Sequence, residues 1–263
     1  MTQPQNPLET ALAHAATEPA ARPDFYRLLL ETEVYVIGQS EAAGDGSKTL
    51  AAGTTFSLVN FSKDDGTPFI PFFASMDALQ RVLSEEARYM AMSARDLFEN
   101  TRGANLVLNP GSSHVKEFLA NEIEALLTTG VNHVAETRVI EEDTQVLLGE
   151  PADYPAAMVA SLTTLLTQRE QVKAAYLCLM HDPRSGRPPS LVVGLEGRGE
   201  LGQTMREAGT VAADTAPDGV AVDFIEITPG SGGLSDHFLE SVKPFYERSW
   251  GTRLRSMLAS GRA

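Results

Sequence analysis

The segment Asn109-Pro110-Gly111-Ser112-Ser113-His114 gathers the residue types from which a small binding site is assembled: two hydroxyls, an imidazole, an amide and a Pro-Gly pair that bends the backbone. It follows the apolar run NLVLN and precedes an amphipathic stretch ending at Gly130. A helix opening at Ser112 would offer unpaired amides and a partial positive charge, so that Asn109, Gly111, Ser112, Ser113 and His114 could hold a carboxylate, a phosphate or a partner's acidic group. Turn geometry and helix capping demand the same letters, and capping is the preferred reading. No acidic residue adjacent in sequence stands ready to orient His114 as a base, so it reads as a solvated side chain.

Two further glycine loops have the form of phosphate cradles. GRGELG, Gly197 to Gly202, matches G-x-G-x-x-G between a strand and a helix. With 21 glycines in 263 residues, chance supplies such a match in about one chain in eight. Asp223 and Glu226 on the next strand are poorly spaced for a ribose contact, and a structural turn is preferred. TPGSGGLSDHF, Thr228 to Phe238, lacks the lysine of a P-loop and reads as a turn with Ser235 capping a helix.

Metal and nucleophilic chemistry have weaker signatures. The five histidines are scattered at 14, 114, 133, 181 and 237 without H-E-x-x-H or paired cysteines. His181 with Asp182, and Asp236 with His237, are neighbours that regular secondary structure points apart. Cys178 stands in the apolar run AAYLCLM and reads as a buried hydrophobe. Glu85, Glu86 and the run Glu141 to Asp143 read as solvated charge. No catalytic residue, cofactor or metal site is assigned from these residues.

The elements that must position these groups are those of an ordinary globular chain. At 263 residues and 43% hydrophobic, the sequence has room for two domains with sizeable cores. A formal net charge of -14 argues against nucleic acid or an anionic membrane surface as partner. One cysteine requires no oxidising compartment, and neither a secretory leader nor a spanning apolar run is visible, so the expected location is the cytoplasm.

Hydrophobic periodicity and turn residues lay out the first half. Asn6-Pro7 opens a helix with Leu8, Ala11, Leu12 and Ala15 on one face. EVYVIGQS is a strand, and EAAGDGSKT an exposed hairpin tip. TTFSLVNFS and TPFIPFF are strands joined by the KDDG turn, with Pro71 placing the second at an edge or a bulge. Ser75 caps a helix with Met76, Leu79 and Leu83 on one side. Strands RYMAMS and NLVLN follow, separated by a short helix, and SSHVKEFLANEIEALLTTG is expected to be one helix. Phe56, Phe61, Phe69, Phe72 and Phe73 cluster in these strands. An exposed Phe69 or Phe73 beside the NPGSS corner would indicate a peptide groove.

Residues 133–143 lose the helical period and read as a linker between a domain over 1–132 and a second over 144–263. Beyond it the order is β-α-β-β-α-β with a terminal helix LSDHFLESVKPFYER. The fold class is therefore α+β, two mixed domains, the second with ferredoxin-like order.

With these elements in place, PFFASMDALQRV, SARDLFE and LVLNPGSSHVKEFLANEIEALL resemble the N-terminal domain of the enhanced serine sensitivity (SseB) proteins, over roughly residues 8 to 128. The second half, 140 to 248, resembles that family's C-terminal domain. The resemblance implies two domains and carries no functional residue onto this chain. The resulting expectation is a non-catalytic protein that binds another protein or regulates it, with a homo-oligomer left open. Two alternatives stand beside it: a sensor or enzyme that binds a small anion or nucleotide, and an acidic immunity or adaptor protein for a basic secreted partner.

Overall fold

In the computed structural model, residues 6–40, 56–132 and 146–248 are described. The chain divides into two compact units, Met1–His133 and Val134–Ala263. The expected linker 133–143 and the hairpin tip EAAGDGSKT fall outside the described residues.

The first unit begins with α1 (Pro7–Thr17), capped by the Asn6 side chain, which accepts from the amides of Leu8 (2.8 Å) and Glu9 (3.3 Å). A turn of 3₁₀ helix leads into α2 (Arg22–Glu31). There follow β1 (Glu33–Ser40), β2 (Phe56–Leu58), β3 (Phe61–Ser62), β4 (Pro68–Phe73), α3 (Met76–Val82), β5 (Tyr89–Ser93), α4 (Ala94–Asn100), β6 (Leu106–Leu108), β7 (Lys116–Phe118) and α5 (Ala120–Thr129). The strands form a seven-stranded sheet in the order β2-β1-β4-β6-β7, with β3 on β4 and β5 on β1.

Alternation along the strands gives the sheet two apolar faces. Ile70, Phe72, Leu106, Leu108 and Phe118 face α1, α2, α4 and α5 in the main core. There the rings of Phe72, Phe98 and Phe118 meet with centroids 5.4 to 5.9 Å apart. On the other face Ile37 and Phe73 pack against Ala78 and Leu79 of α3, with Tyr35 and Phe61 half-buried beside them.

Two expectations are corrected here. Pro71 does not mark an edge, because β4 lies inside the sheet. In the parallel ladder to β6, Ile70 donates to Asn105 and Phe72 accepts from Asn109. Pro71 therefore turns its missing N–H to the opposite side, into the gap between β3, paired at 68 and 69, and β1, paired at 72 and 73. Nor does a helix start at Ser112. Lys116–Phe118 is a strand, β7, antiparallel to β6 with Leu106 opposite Phe118, and α5 runs only over Ala120–Thr129. Phe118, with no exposed surface, completes the aromatic core only if its neighbours alternate in strand geometry. The helix is opened by Glu122, whose carboxylate accepts from the Leu119 amide (3.1 Å), and closed by Gly130 at φ 77°.

The second unit runs β8 (Leu147–Gly149), α6 (Ala156–Thr167), β9 (Val172–His181), β10 (Ser190–Gly197), α7 (Gly202–Thr215), β11 (Val222–Glu226), α8 (Leu234–Ser241) and β12 (Tyr246–Glu247). The β-α-β-β-α-β chain order is thus the one read from the sequence. The five-stranded sheet is laid out β11-β10-β9-β12, with β8 also on β9, and β10 and β11 are adjacent and parallel across α7. The terminal helix is shorter than expected. Lys243 precedes Pro244 and Val242 is already extended (φ -111°, ψ 130°), so the chain leaves helical geometry and adds β12 to β9.

Arg248, just beyond β12, closes this unit. Its guanidinium donates to the carbonyls of Leu166 (2.9 Å), Thr167 (3.1 Å), Arg169 (2.8 Å) and Val172 (3.0 Å), capping the C-terminus of α6 where the helix dipole favours a cation. Arg248→Ala is expected to lower the stability of the second unit by about 2 kcal/mol in urea unfolding, with Arg248→Lys recovering only part of the loss.

Cys178, 2% exposed among Tyr176, Val192 and Phe238, has its thiol pushed up to about 11 by burial. Because the folded value is raised, this contribution to stability is intact below the unfolded thiol's range and is lost as pH climbs from about 8.5 through 11. A thiol reagent should accordingly label the native protein far more slowly at pH 8 than the urea-unfolded chain.

Candidate functional site

The NPGSS residues form the tip of the β6–β7 hairpin. Asn109 takes the left-handed conformation (φ 52°) and is 3% exposed. Its amide continues the ladder to Phe72 O (2.8 Å), and its side-chain Oδ1 accepts from the Ala74 amide (2.9 Å). From the other side, Asn6 Nδ2 donates to the Ala74 carbonyl (2.7 Å). Both polar groups of one buried peptide segment are thereby met by asparagine side chains from opposite ends of the unit. The Ser112 amide closes a turn on Asn109 O (3.1 Å), with Gly111 at φ 78° in the position only glycine occupies without strain. The Ser113 hydroxyl lies 3.2 Å from His114 Nδ1.

The predicted site residues do come together, although not at a helix start. Asn109, Ser112, Ser113 and His114 line a cleft of about 310 Å³ together with Glu9 from the first turn of α1 and Arg81 from α3. Gly111 shapes the turn behind them. The acidic residue that His114 lacks in sequence is thus brought into the same cleft by α1. One oxygen of Glu9 already accepts from Ser75 Oγ (2.7 Å), the hydroxyl that caps α3 through the Ala78 amide (3.1 Å). Sequence reasoning missed both the half-buried Glu9 and the exposed Arg81, since each lies on a helix with no spacing relation to the loop.

A second concavity of about 530 Å³ runs between α3 and β5 on the other face of the sheet. Met76, Leu79, Leu83 and Tyr89 line it, together with the exposed Glu85 and Glu86. Tyr89 is 50% exposed, with its ring 6.2 Å from that of Tyr35. The apolar side of α3 predicted from its period is therefore only partly covered. Phe73 is fully buried, and Phe69 packs on Phe61 (5.9 Å) at the end of β4 away from the NPGSS loop, so neither ring meets the condition for a peptide groove beside that corner.

The glycine loops of the second unit are scaffolding. β10, α7 and β11 have the strand-helix-strand form of a dinucleotide unit, but the crevice is filled. A Cβ at Gly197 would come 2.5 Å from the Gln171 carbonyl, and Leu201, 1% exposed, occupies the turn. Gln171 Nε2 also donates to the Thr204 hydroxyl (2.6 Å), and Asp223 accepts from the Ser190 hydroxyl (2.9 Å). In TPGSGG, Gly230, Gly232 and Gly233 all have positive φ. Ser235 is not the cap expected: α8 opens at Leu234 after Gly233, and the Ser235 hydroxyl accepts from the Thr228 amide (3.3 Å).

Other polar groups are committed within the fold. Glu196, 7% exposed, accepts from Lys173 (2.5 Å) and Tyr176 (3.3 Å), and burial together with that carboxylate holds the Tyr176 phenol above its usual range. Asp182 accepts from the Arg184 amide in a turn (2.9 Å). Among the described residues, no three His, Cys, Asp or Glu side chains are grouped so as to hold a metal, and no helix is long and apolar enough to cross a membrane.

Comparison with known proteins places the whole chain. Residues 8–125 match the SseB protein N-terminal domain and residues 140–248 the SseB protein C-terminal domain. Protein SseB of Escherichia coli (strain K12) and Protein SseB of Shigella flexneri are each 37% identical to it over 255 residues, covering 97% of this chain and 97% of each relative. No solved structure matches.

The clamp on Ala74 makes Asn109 a structural test of the loop. Asn109→Ala removes the acceptor of a buried amide and replaces asparagine, which tolerates the left-handed region, with a residue that does not, with an expected loss of about 3 kcal/mol in urea unfolding. Asn109→Gly relieves only the backbone conformation and should lose about 2 kcal/mol.

Proposed function

The chain belongs to the SseB protein family, and from that premise we propose that it works in the cytoplasm as a non-catalytic module that binds another protein through its first unit. The observation that carries this reading is the groove between α3 and β5. Met76, Leu83 and the half-exposed Tyr89 leave apolar and aromatic surface open to solvent, with Glu85 and Glu86 beside it. An apolar anchor from a partner would bury against Tyr89 and Leu83, and lysines or arginines flanking that anchor would meet the two glutamates. The net charge of -14 favours the approach of such a basic segment from a distance. This is also the chemistry an acidic adaptor for a basic partner would use.

A photo-crosslinking residue placed at Tyr89 in the full chain, in its native cell, is expected to give a discrete protein adduct. The same residue at Thr128, on the exposed side of α5, is expected to give none. Adding Glu85→Lys and Glu86→Lys should cut the yield about tenfold, and rising salt should weaken it in parallel. Adducts of equal yield from both positions, or a yield indifferent to charge reversal, would remove the groove as the docking site.

A further inference from the structure

The cleft beside the β6–β7 loop is separate from the α3–β5 groove and has different chemistry. Its lining sets one guanidinium, Arg81, beside one carboxylate, Glu9, with hydroxyls and an imidazole around them. Arg81 gives Nε to the Asp77 carbonyl (3.1 Å), and among the described residues its guanidinium has no carboxylate in ion-pair contact. The amides of Ser113 and His114, both lining residues, donate to no described protein acceptor. Ser112 and Ser113 add hydroxyls at the wall. The single acidic group is Glu9, and one of its oxygens is engaged by Ser75. Leu12 and Ala13 supply a short apolar strip along α1.

We infer that this cleft is a binding site for a small organic carboxylate. The planar guanidinium of Arg81 matches the two oxygens of a carboxylate in a fork that a lone ammonium could not reproduce. The loop hydroxyls and amides complete the shell around the remaining lone pairs. Charge selects the monoanion. Arg81 and Glu9 nearly cancel, so one added negative charge is balanced locally, whereas a phosphate dianion meets the Glu9 carboxylate and the field of a chain at -14. A cation is disfavoured by Arg81 itself and would find only a carboxylate already hydrogen-bonded. At about 310 Å³ the cleft is at the small end of ligand sites, and Leu12 with Ala13 accommodates an aliphatic substituent of a few carbons. Either a free carboxylate metabolite or the C-terminal carboxylate of a polypeptide presents this chemistry.

Titration of the isotopically labelled full chain, followed by NMR, tests it with propionate, N-acetylalanine, N-acetylalaninamide and inorganic phosphate as probes. Propionate and N-acetylalanine are expected to give saturable shifts at the amides of Ser112, Ser113 and His114 and at Arg81 Nε. The amide and phosphate should bind at least about tenfold more weakly. Arg81→Gln should weaken the carboxylates about tenfold without moving the melting temperature, and Glu9→Gln should tighten them. If Arg81→Gln proves unstable, Arg81→Lys, which keeps the charge and loses the fork, is expected to weaken binding by a smaller factor. A short peptide ending in a free alanine carboxylate identifies a chain terminus as the source if it binds about tenfold tighter than N-acetylalanine, and a free metabolite if it does not. The inference is overturned by the absence of saturable shifts, by an equal response to the amide, by phosphate binding more tightly than propionate, or by an Arg81→Gln protein of unchanged affinity.

Discussion

The first unit is organised around the buried peptide at Ala74, whose N–H reaches Asn109 and whose carbonyl receives Asn6. At this residue the chain leaves the middle of a sheet at Phe73 and must begin a helix on the opposite face after Ser75. No strand or helix can satisfy a peptide in that transition, and leaving either group unpaired in the interior would cost about 1 to 3 kcal/mol. Two side-chain amides supply the missing partners. In doing so they fix the start of α1, the end of β4 and the entry to the β6–β7 loop relative to one another. Ser75, one residue on, then caps α3 and donates to Glu9, extending the clamp to the cleft wall.

The surface follows from this constraint. α3 has only seven residues, too short to be stable on propensity alone, and it is held by its Ser75 cap and by burial of Ala78 and Leu79. So short a helix covers part of the second sheet face and leaves Tyr35, Phe61 and Tyr89 partly open. The same helix contributes Met76 and Leu79 to the groove, with Leu83 just past its end, and Arg81 to the cleft. The concave features of this unit are therefore products of how abruptly β4 ends.

The second unit spends its polar groups differently. Arg169 and Glu207, both nearly buried, are paired at 2.6 Å, and Glu196 is held by Lys173 and Tyr176. Such pairs add little net stability over apolar packing, yet removing one member strands the other, so they fix a register in preference to strengthening a core. Arg248 caps α6 through backbone carbonyls alone. Asp182, Asp223 and Ser235, which looked like chemistry in this half, are engaged within the fold.

Much of this was legible from residue order. Asn6 as a cap, EVYVIGQS as a strand, Ser75 before a helix, Gly130 after one and the β-α-β-β-α-β run of the second half are local signals, each written within a few residues and decided by backbone preferences those residues carry anywhere. The family resemblance rested on equally short segments. What local signals misjudged was the stretch after NPGSS, where the run from Ser112 to Leu127 has helical composition throughout. Pairing of Phe118 against Leu106 turned its first part into a strand, because the aromatic core repays extended geometry there more than a helix would. Pro71 looked like an edge residue because the sequence does not reveal which flank of a strand a proline faces. The α+β class, the capped helices and the glycine turns were thus fixed by sequence alone, through short-range conformational preference. The meeting of Glu9, Arg81 and His114, and the double hold on Ala74, belong to tertiary structure, since groups far apart along the chain converge only when the sheet buries its faces and leaves one transition peptide in need of partners.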